Sequence, residues 1–220
     1  MDLQQQFQIA QSKRNNSQFD QAIADYQQIR LSAMACGNGQ LAGECLHMIG
    51  VAYYQQNEFV MAQDYYQQAL EIFLRTSNKD FIAIVQRDLG LLAYKQQDLA
   101  QAKELLLRSV SSLKNSQLVS QYAMSQAKLG FVRASQGEVK EGVSLMQASI
   151  GLLESHDNNF FLASVFFDLA RVYRAAGMMN DAKEASDRSL QILNSFSKED
   201  EFIERRKKLE DLRQALLDTK

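Results

Sequence analysis

Proline and tryptophan are missing from all 220 residues of this chain, and cysteine and histidine occur only twice each. Proline punctuates loops and sheet edges, so its absence over this length favours helices joined by short Gly, Asn and Ser turns. Cys36 and Cys45 are too few for a disulfide framework, which makes a reducing cytoplasm the expected setting. With His47 and His156 as the only histidines, and no H-E-x-x-H or C-x-x-C spacing, no metal site or other cofactor is expected. A net charge of −2 supplies no global attraction for nucleic acid or an anionic membrane, and neither is an expected partner. No apolar run reaches bilayer length, and the polar start MDLQQQFQIAQSKRNN lacks the apolar core of a signal peptide. Asp168 and Glu104 sit among basic neighbours and read as solvated helix faces, so no catalytic constellation and no enzyme is expected. His156, in a turn beside Asp157, is expected in solvent.

What the chain does contain is a repeat. Stepping by 40 residues from Gly50 gives Ala10, Gly50, Gly90, Gly130 and Ala170, all small. The preceding residues are Ile9, Ile49, Leu89, Leu129 and Leu169, all large and aliphatic. Twelve positions after each anchor stand Ala22, Ala62, Ala102, Gly142 and Ala182. Three residues earlier come Phe19, Phe59, Leu99, Val139 and Met179, and four later Tyr26, Tyr66, Leu106, Met146 and Ser186. Apolar positions recur at i, i+3, i+4 and i+7, the spacing of a helix with one buried stripe. A glycine inside a helix costs about 1 kcal/mol against alanine. Its recurrence at one register position therefore implies a compensating close approach of two helix backbones. One such hairpin cannot bury its own stripes, so neighbours must stack and share a core.

Leu46, Ile49-Gly50, Tyr53, Phe59, Ala62, Tyr66 and Ala69-Leu70 resemble the tetratricopeptide repeat position by position. The resemblance runs from about Leu3 to Asn194. It departs from the family in period, 40 residues against the common 34, and in two positions. The usual tryptophan is replaced by Gln6, Leu46, Gln86, Gln126 and Phe166, and the usual proline by Met34, Leu74, Lys114, Glu154 and Asn194. The longer unit is similar to repeats of Rap/PlcR-type peptide-responsive regulators, kinesin light chains and polarity adaptors.

The resemblance implies an all-α, right-handed superhelical solenoid of five helical hairpins, at about 3–36, 43–76, 83–116, 123–156 and 163–196, forming one domain. Helices are expected to begin near Leu41, Phe59, Phe81, Leu99, Leu118, Val139, Phe160 and Met179. From Lys198 the register ends, and KEDEFIERRKKLEDLRQALLDTK reads as a charged capping helix at about 199–218, with a coiled-coil or dimer contact as the competing reading. The run Gly37-x-Gly39-x-x-x-Gly43 is read as a linker rather than a nucleotide loop, because it follows a helix. No repeat cap precedes Leu3, so the first hairpin is an exposed end or a self-association contact.

In this family the first helix of each hairpin lines a concave groove. The groove positions nominated for a peptide or partner helix are His47, Tyr54, Arg87, Tyr94, Lys95, Phe131, Phe167, Arg171 and Arg174. Aromatic and arginine side chains are the usual anchors of such interfaces. The carboxylate-clamp asparagines of the chaperone-tail subfamily are absent, Val51 and Leu91 standing in their places. Three of the arginines have local acids: Asp88 stands beside Arg87, and Asp168 near Arg171 and Arg174. Val51, Leu91 and Phe131 equally suit packing between hairpins. The function expected is a protein-interaction module or adaptor binding a peptide that bears acidic residues. The second class is the peptide-sensing domain of a bacterial regulator, although no DNA-binding helix-turn-helix precedes the array. Self-association through the solenoid ends stays open.

Overall fold

The structure is a computed structural model that describes residues 2–195 and the isolated helical positions 207, 210, 211, 214 and 215. Apart from those five positions, the capping helix expected over 199–218 lies outside the described residues. Over residues 2–195, ten α-helices follow one another in antiparallel hairpins: α1 (Leu3–Asn15), α2 (Phe19–Ala35), α3 (Gly39–Gln55), α4 (Phe59–Arg75), α5 (Lys79–Lys95), α6 (Leu99–Leu113), α7 (Val119–Ser135), α8 (Val139–Ser155), α9 (Asn159–Ala175) and α10 (Met179–Ser195). There is no strand among the described residues.

The turns follow the same register as the core. Ser17, Asn57, Gln97, Gly137 and Gly177 all adopt positive φ, 59°, 64°, 66°, 93° and 75°. Each sits just past the helix end, where a left-handed residue lets the chain reverse and satisfies the last carbonyls. At Asn57 its N–H donates to the Tyr54 carbonyl at 3.1 Å and the Glu58 N–H to the Tyr53 carbonyl at 2.9 Å. Between hairpins, Asn38, Asn78 and Asn158 start the next helix, each side chain accepting from the backbone N–H three residues on, at 3.1, 3.3 and 3.2 Å. Leu118 holds the matching place before α7 and makes no such cap; there Ser116 Oγ instead accepts from the Leu118 N–H at 3.1 Å.

The recurring small residues mark where backbones cross. A Cβ built on Gly50 would lie 2.6 Å from the Tyr66 ring and 3.3 Å from the Ala62 carbonyl oxygen. On Gly130 it would lie 2.5 Å from the Gly142 carbonyl oxygen, and a Cβ on Gly142 would strike the Gly130 carbonyl in return. Around these crossings Ala10, Ala22, Ala62, Ala102, Ala170 and Ala182 are completely buried.

Each helix packs on the next in sequence, and the first helices of successive hairpins also meet: α1 with α3, α5 with α7, α7 with α9. These first helices form the inner wall. Cys45, Ile49 and Ala52 of α3 join the core of the first hairpin, alongside Ile29 and Ala33. The same register positions in α1 are Gln5, Ile9 and Ser12, and Ile9 is 43% exposed where Ile49 is fully buried. The outer side of α1 carries no packed hairpin among the described residues, and two of its three positions are polar to match.

Candidate functional site

The inner wall bends around a cavity of about 360 Å³. Of the nine nominated residues, Tyr54, Tyr94, Lys95, Phe131, Phe167 and Arg171 line it, from helices α3, α5, α7 and α9. Leu91 lines it too, and so does Arg14 from α1. Four aromatic rings from four consecutive hairpins meet one space because their positions lie on the same face of each first helix. Tyr94 packs edge-on to Phe131, with ring centres 5.2 Å apart, and Tyr54 leans on Phe59 at 5.9 Å. Burial pushes the Tyr54 phenol above its ordinary range, and the Asp88 and Asp168 carboxylates push it further. Tyr54 therefore presents a neutral hydroxyl to the groove. The Ser135 hydroxyl donates to the Tyr94 oxygen at 3.4 Å.

The other three nominated residues do not line this cavity. His47 is 3% exposed, and its Nε2 lies 2.7 Å from Asp88 Oδ2. Arg87 donates from Nε to Asp88 Oδ1 at 2.9 Å and from Nη1 to Gln121 Oε1 at 2.6 Å. This closed network ties α3, α5 and α7 together. Burial alone would push the Asp88 carboxyl up, but the Arg87 guanidinium and the His47 hydrogen bond outweigh it and hold the carboxyl well below its ordinary range. Arg174 is exposed on α9, away from the cavity, and forms no ion pair among the described residues.

Asp168, expected on a solvated face, is only 7% exposed and stands on the groove wall. Lys128 Nζ approaches its Oδ2 at 2.5 Å and Arg171 Nη1 donates to its Oδ1 at 3.3 Å. The reason is the repeat itself. Lys128 and Asp168 stand one 40-residue period apart, so adjacent inner helices hold them side by side. That opposite-charge step was present in the sequence, as was the near-period His47–Asp88 spacing. Glu104, by contrast, pairs with Arg108 one helical turn away in solvent, as its sequence context suggested.

The Arg171 guanidinium lies 4.8 Å from the centre of the Phe131 ring and 5.8 Å from that of Phe167. Cation–π attraction and the Asp168 hydrogen bond hold it in place while its side chain stays 41% exposed. Cys36 is exposed and Cys45 buried, both as free thiols. The His156 ring is exposed at the end of α8, with Nδ1 3.0 Å from the Leu152 carbonyl oxygen. No group of three or more His, Cys, Asp or Glu side chains able to hold a metal ion occurs among the described residues. No helix among them is long and apolar enough to cross a membrane.

Comparison with known proteins agrees with this architecture. Residues 6–75 match the family model of the tetratricopeptide repeat. No curated protein matches the chain in sequence. Among solved structures, the chain is similar to a kinesin-light-chain-type protein of Podosopora anserina with nearly identical TPR-like repeats. That likeness has a TM-score of 0.61 at 19% identity, over 89% of this chain and 98% of the other. It is similar to a Rap protein complexed with competence and sporulation factor, with a TM-score of 0.67 at 12% identity over 98% of this chain and 64% of that one. It also resembles the APC/C hetero-tetramer Cut9–Hcn1, with a TM-score of 0.66 at 19% identity over 95% of this chain and 35% of the other. Residues 6–75 thus match the tetratricopeptide-repeat model, and the five hairpins described, in one 40-residue register with small residues at every crossing, share the fold of these solved repeat structures.

Proposed function

We propose that this protein is an interaction module whose concave groove receives an extended or helical peptide of a protein partner. The observation that supports the reading is the convergence of Tyr54, Tyr94, Phe131 and Phe167 on one cavity beside Arg171 and Lys95. Aromatic rings offer large contact area for little lost side-chain entropy, and Arg adds directional charge; both dominate binding energy at interfaces. The charge around them selects for acid. Arg14, Lys95, Lys128 and Arg171 line the cavity against a single carboxylate, Asp168. A partner segment bearing Asp or Glu gains from this field, and a basic one is repelled.

His47 and Arg87 act at one remove in this reading. Their shared grip on Asp88 fixes α3 against α5, and the Arg87–Gln121 bond extends it to α7. The spacing of the aromatic residues follows from that rigidity. The Rap protein complexed with competence and sporulation factor spans nearly all of this chain in its fold. A signal-sensing role for the groove is the second reading, and it uses the same surface. We assign the chain a binding role rather than a catalytic one.

The test is a titration of an acidic nine-residue peptide library against wild type and the double variant Tyr94→Ala/Phe167→Ala, with circular dichroism confirming that the variant stays helical. Weaker binding by the variant is expected. Equal binding by both proteins removes the groove from consideration.

A further inference from the structure

The centre of the groove holds a charge arrangement that narrows the ligand further. Asp168 offers two carboxylate oxygens, and each already has a cation: Lys128 on Oδ2 at 2.5 Å and Arg171 on Oδ1 at 3.3 Å. Lys128 is the closer and the more buried partner, its side chain 14% exposed against 41% for Arg171. Lys128 by itself neutralises Asp168, which leaves the positive charge of Arg171 uncompensated inside the groove. The donor geometry agrees. Arg171 uses one Nη1 bond on Asp168, and its remaining N–H groups meet no acceptor among the described residues. The Phe131 and Phe167 rings limit where the guanidinium can swing. The result is a planar fork, restrained before any ligand arrives, with one unit of charge to offer.

From these observations we infer that Arg171 is the specificity-determining residue of the groove, and that the Arg171–Phe131–Phe167 slot takes the side-chain carboxylate of a partner Asp or Glu in preference to a phosphorylated side chain. A carboxylate matches the guanidinium fork with two parallel hydrogen bonds and carries a single charge. Seated there, it brings the cluster of Lys128, Asp168 and Arg171 to neutrality. A phosphoserine carries about −1.5 to −2 charges at neutral pH. In the same slot it leaves the Lys128–Asp168–Arg171 cluster net negative and crowds the phosphate against the Asp168 carboxylate, which is costly beside aromatic walls. Arg14 and Lys95 are also on the cavity wall, but they belong to α1 and to the last turn of α5, and neither is bracketed by two rings.

The inference rests on the groove reading above, and the test separates the two. Three degenerate nine-residue peptide libraries are prepared, acetylated and amidated, with a fixed central Glu, Gln or phosphoserine. Their retention on immobilised full-length protein is compared for wild type, Arg171→Gln, Arg171→Lys and Tyr94→Ala. Arg171→Gln leaves the Lys128–Asp168 pair neutral and intact, and unchanged circular dichroism is its control. Expected for wild type is retention of the Glu library roughly tenfold above both others, the size of one charge-assisted bidentate contact. Arg171→Gln abolishes that preference and Arg171→Lys, which keeps the charge without the fork, retains only part of it. Equal retention of Glu and Gln libraries by wild type, with both lowered in Tyr94→Ala, overturns the carboxylate slot and leaves the groove standing. Phosphoserine retained as well as Glu overturns the charge-matching argument. No retention of any library by wild type overturns the groove reading, and the slot with it.

Discussion

Replacing the crossing glycines one at a time by alanine separates two opposing effects whose balance the structure lets us work out. Alanine in place of a helical glycine gains about 1 kcal/mol of helix propensity wherever its methyl group fits. Gly151, within α8, has open space on every side of a built Cβ, so Gly151→Ala is expected to stabilise by about that amount. At Gly90 the added carbon would meet the Leu106 Cγ at 3.0 Å and the Ala102 carbonyl oxygen at 3.2 Å. A small shift of α6 relieves both contacts, and the net change is expected near zero. At Gly130 the methyl would lie 2.5 Å from the Gly142 carbonyl oxygen and 2.9 Å from Met146 Cγ. A backbone carbonyl in the first turn of α8 has no rotamer through which to escape, so α7 and α8 must separate. Overpacking of this kind costs about 1–3 kcal/mol. Set against the propensity gain, Gly130→Ala is left destabilising by up to about 2 kcal/mol. Urea unfolding read by both circular dichroism and tyrosine fluorescence measures the series. Coincident transitions from the two probes are the condition for treating the array as one cooperative unit. A Gly130→Ala protein as stable as Gly151→Ala would refute the claim that this register position is small because backbones cross there.

Three further outcomes follow from particular residues. Gln97 holds φ at 66° where Gly137 and Gly177 stand one and two periods later, and a left-handed side-chain-bearing residue is strained by about 1 kcal/mol; Gln97→Gly is expected to raise stability by about that amount in the same urea assay. Asp88 has a depressed carboxyl pKa, so its contribution is present above the unfolded value of about 4 and is lost as pH falls below it. Asp88→Asn strands Arg87 and His47 in a buried site and is expected to cost about 3–5 kcal/mol at neutral pH. The loss of thermal midpoint that wild type suffers between pH 5 and 3 is expected to be smaller in the variant, and parallel curves would contradict the assignment. The Cys45 thiol is pushed up to about 12 chiefly by burial, with Glu44 adding to the shift, while Cys36 is exposed. Ellman's reagent should therefore titrate Cys36 alone in the native protein and both thiols in urea.

The repeat carried most of what could be read without coordinates. Ala10, Gly50, Gly90, Gly130 and Ala170 gave the crossing points, and the expected helix starts at Phe59, Leu99, Val139 and Met179 are the observed first residues of α4, α6, α8 and α10. These are one-dimensional properties: helical periodicity, small residues at fixed spacing, and turn residues that tolerate positive φ. Ser17 and Gln97 were harder to see as left-handed turn residues, because only the register, and not their chemistry, marks them.

Side-chain direction belonged to the tertiary structure. His47, Tyr54, Arg87 and Tyr94 all occupy inner-helix positions, yet Tyr54 and Tyr94 line the groove while His47 and Arg87 close on Asp88. His47 and Tyr54, like Arg87 and Tyr94, are separated by nearly two full helical turns and so share a face, and it is the neighbouring Asp88 carboxylate that decides where His47 and Arg87 fold. Asp168 shows the same limit from the other side. Its immediate sequence neighbours suggested a solvated acid, whereas Lys128, one period away, draws it into the wall. The sequence by itself determined the stacked hairpins and their register, because a fixed period and small crossing residues permit little else, while the inner face of each first helix was an expectation from the family resemblance. Only the tertiary structure decided which inward-facing charges neutralise one another, as Lys128 and Asp168 do, because such pairings form between helices a full 40-residue period apart.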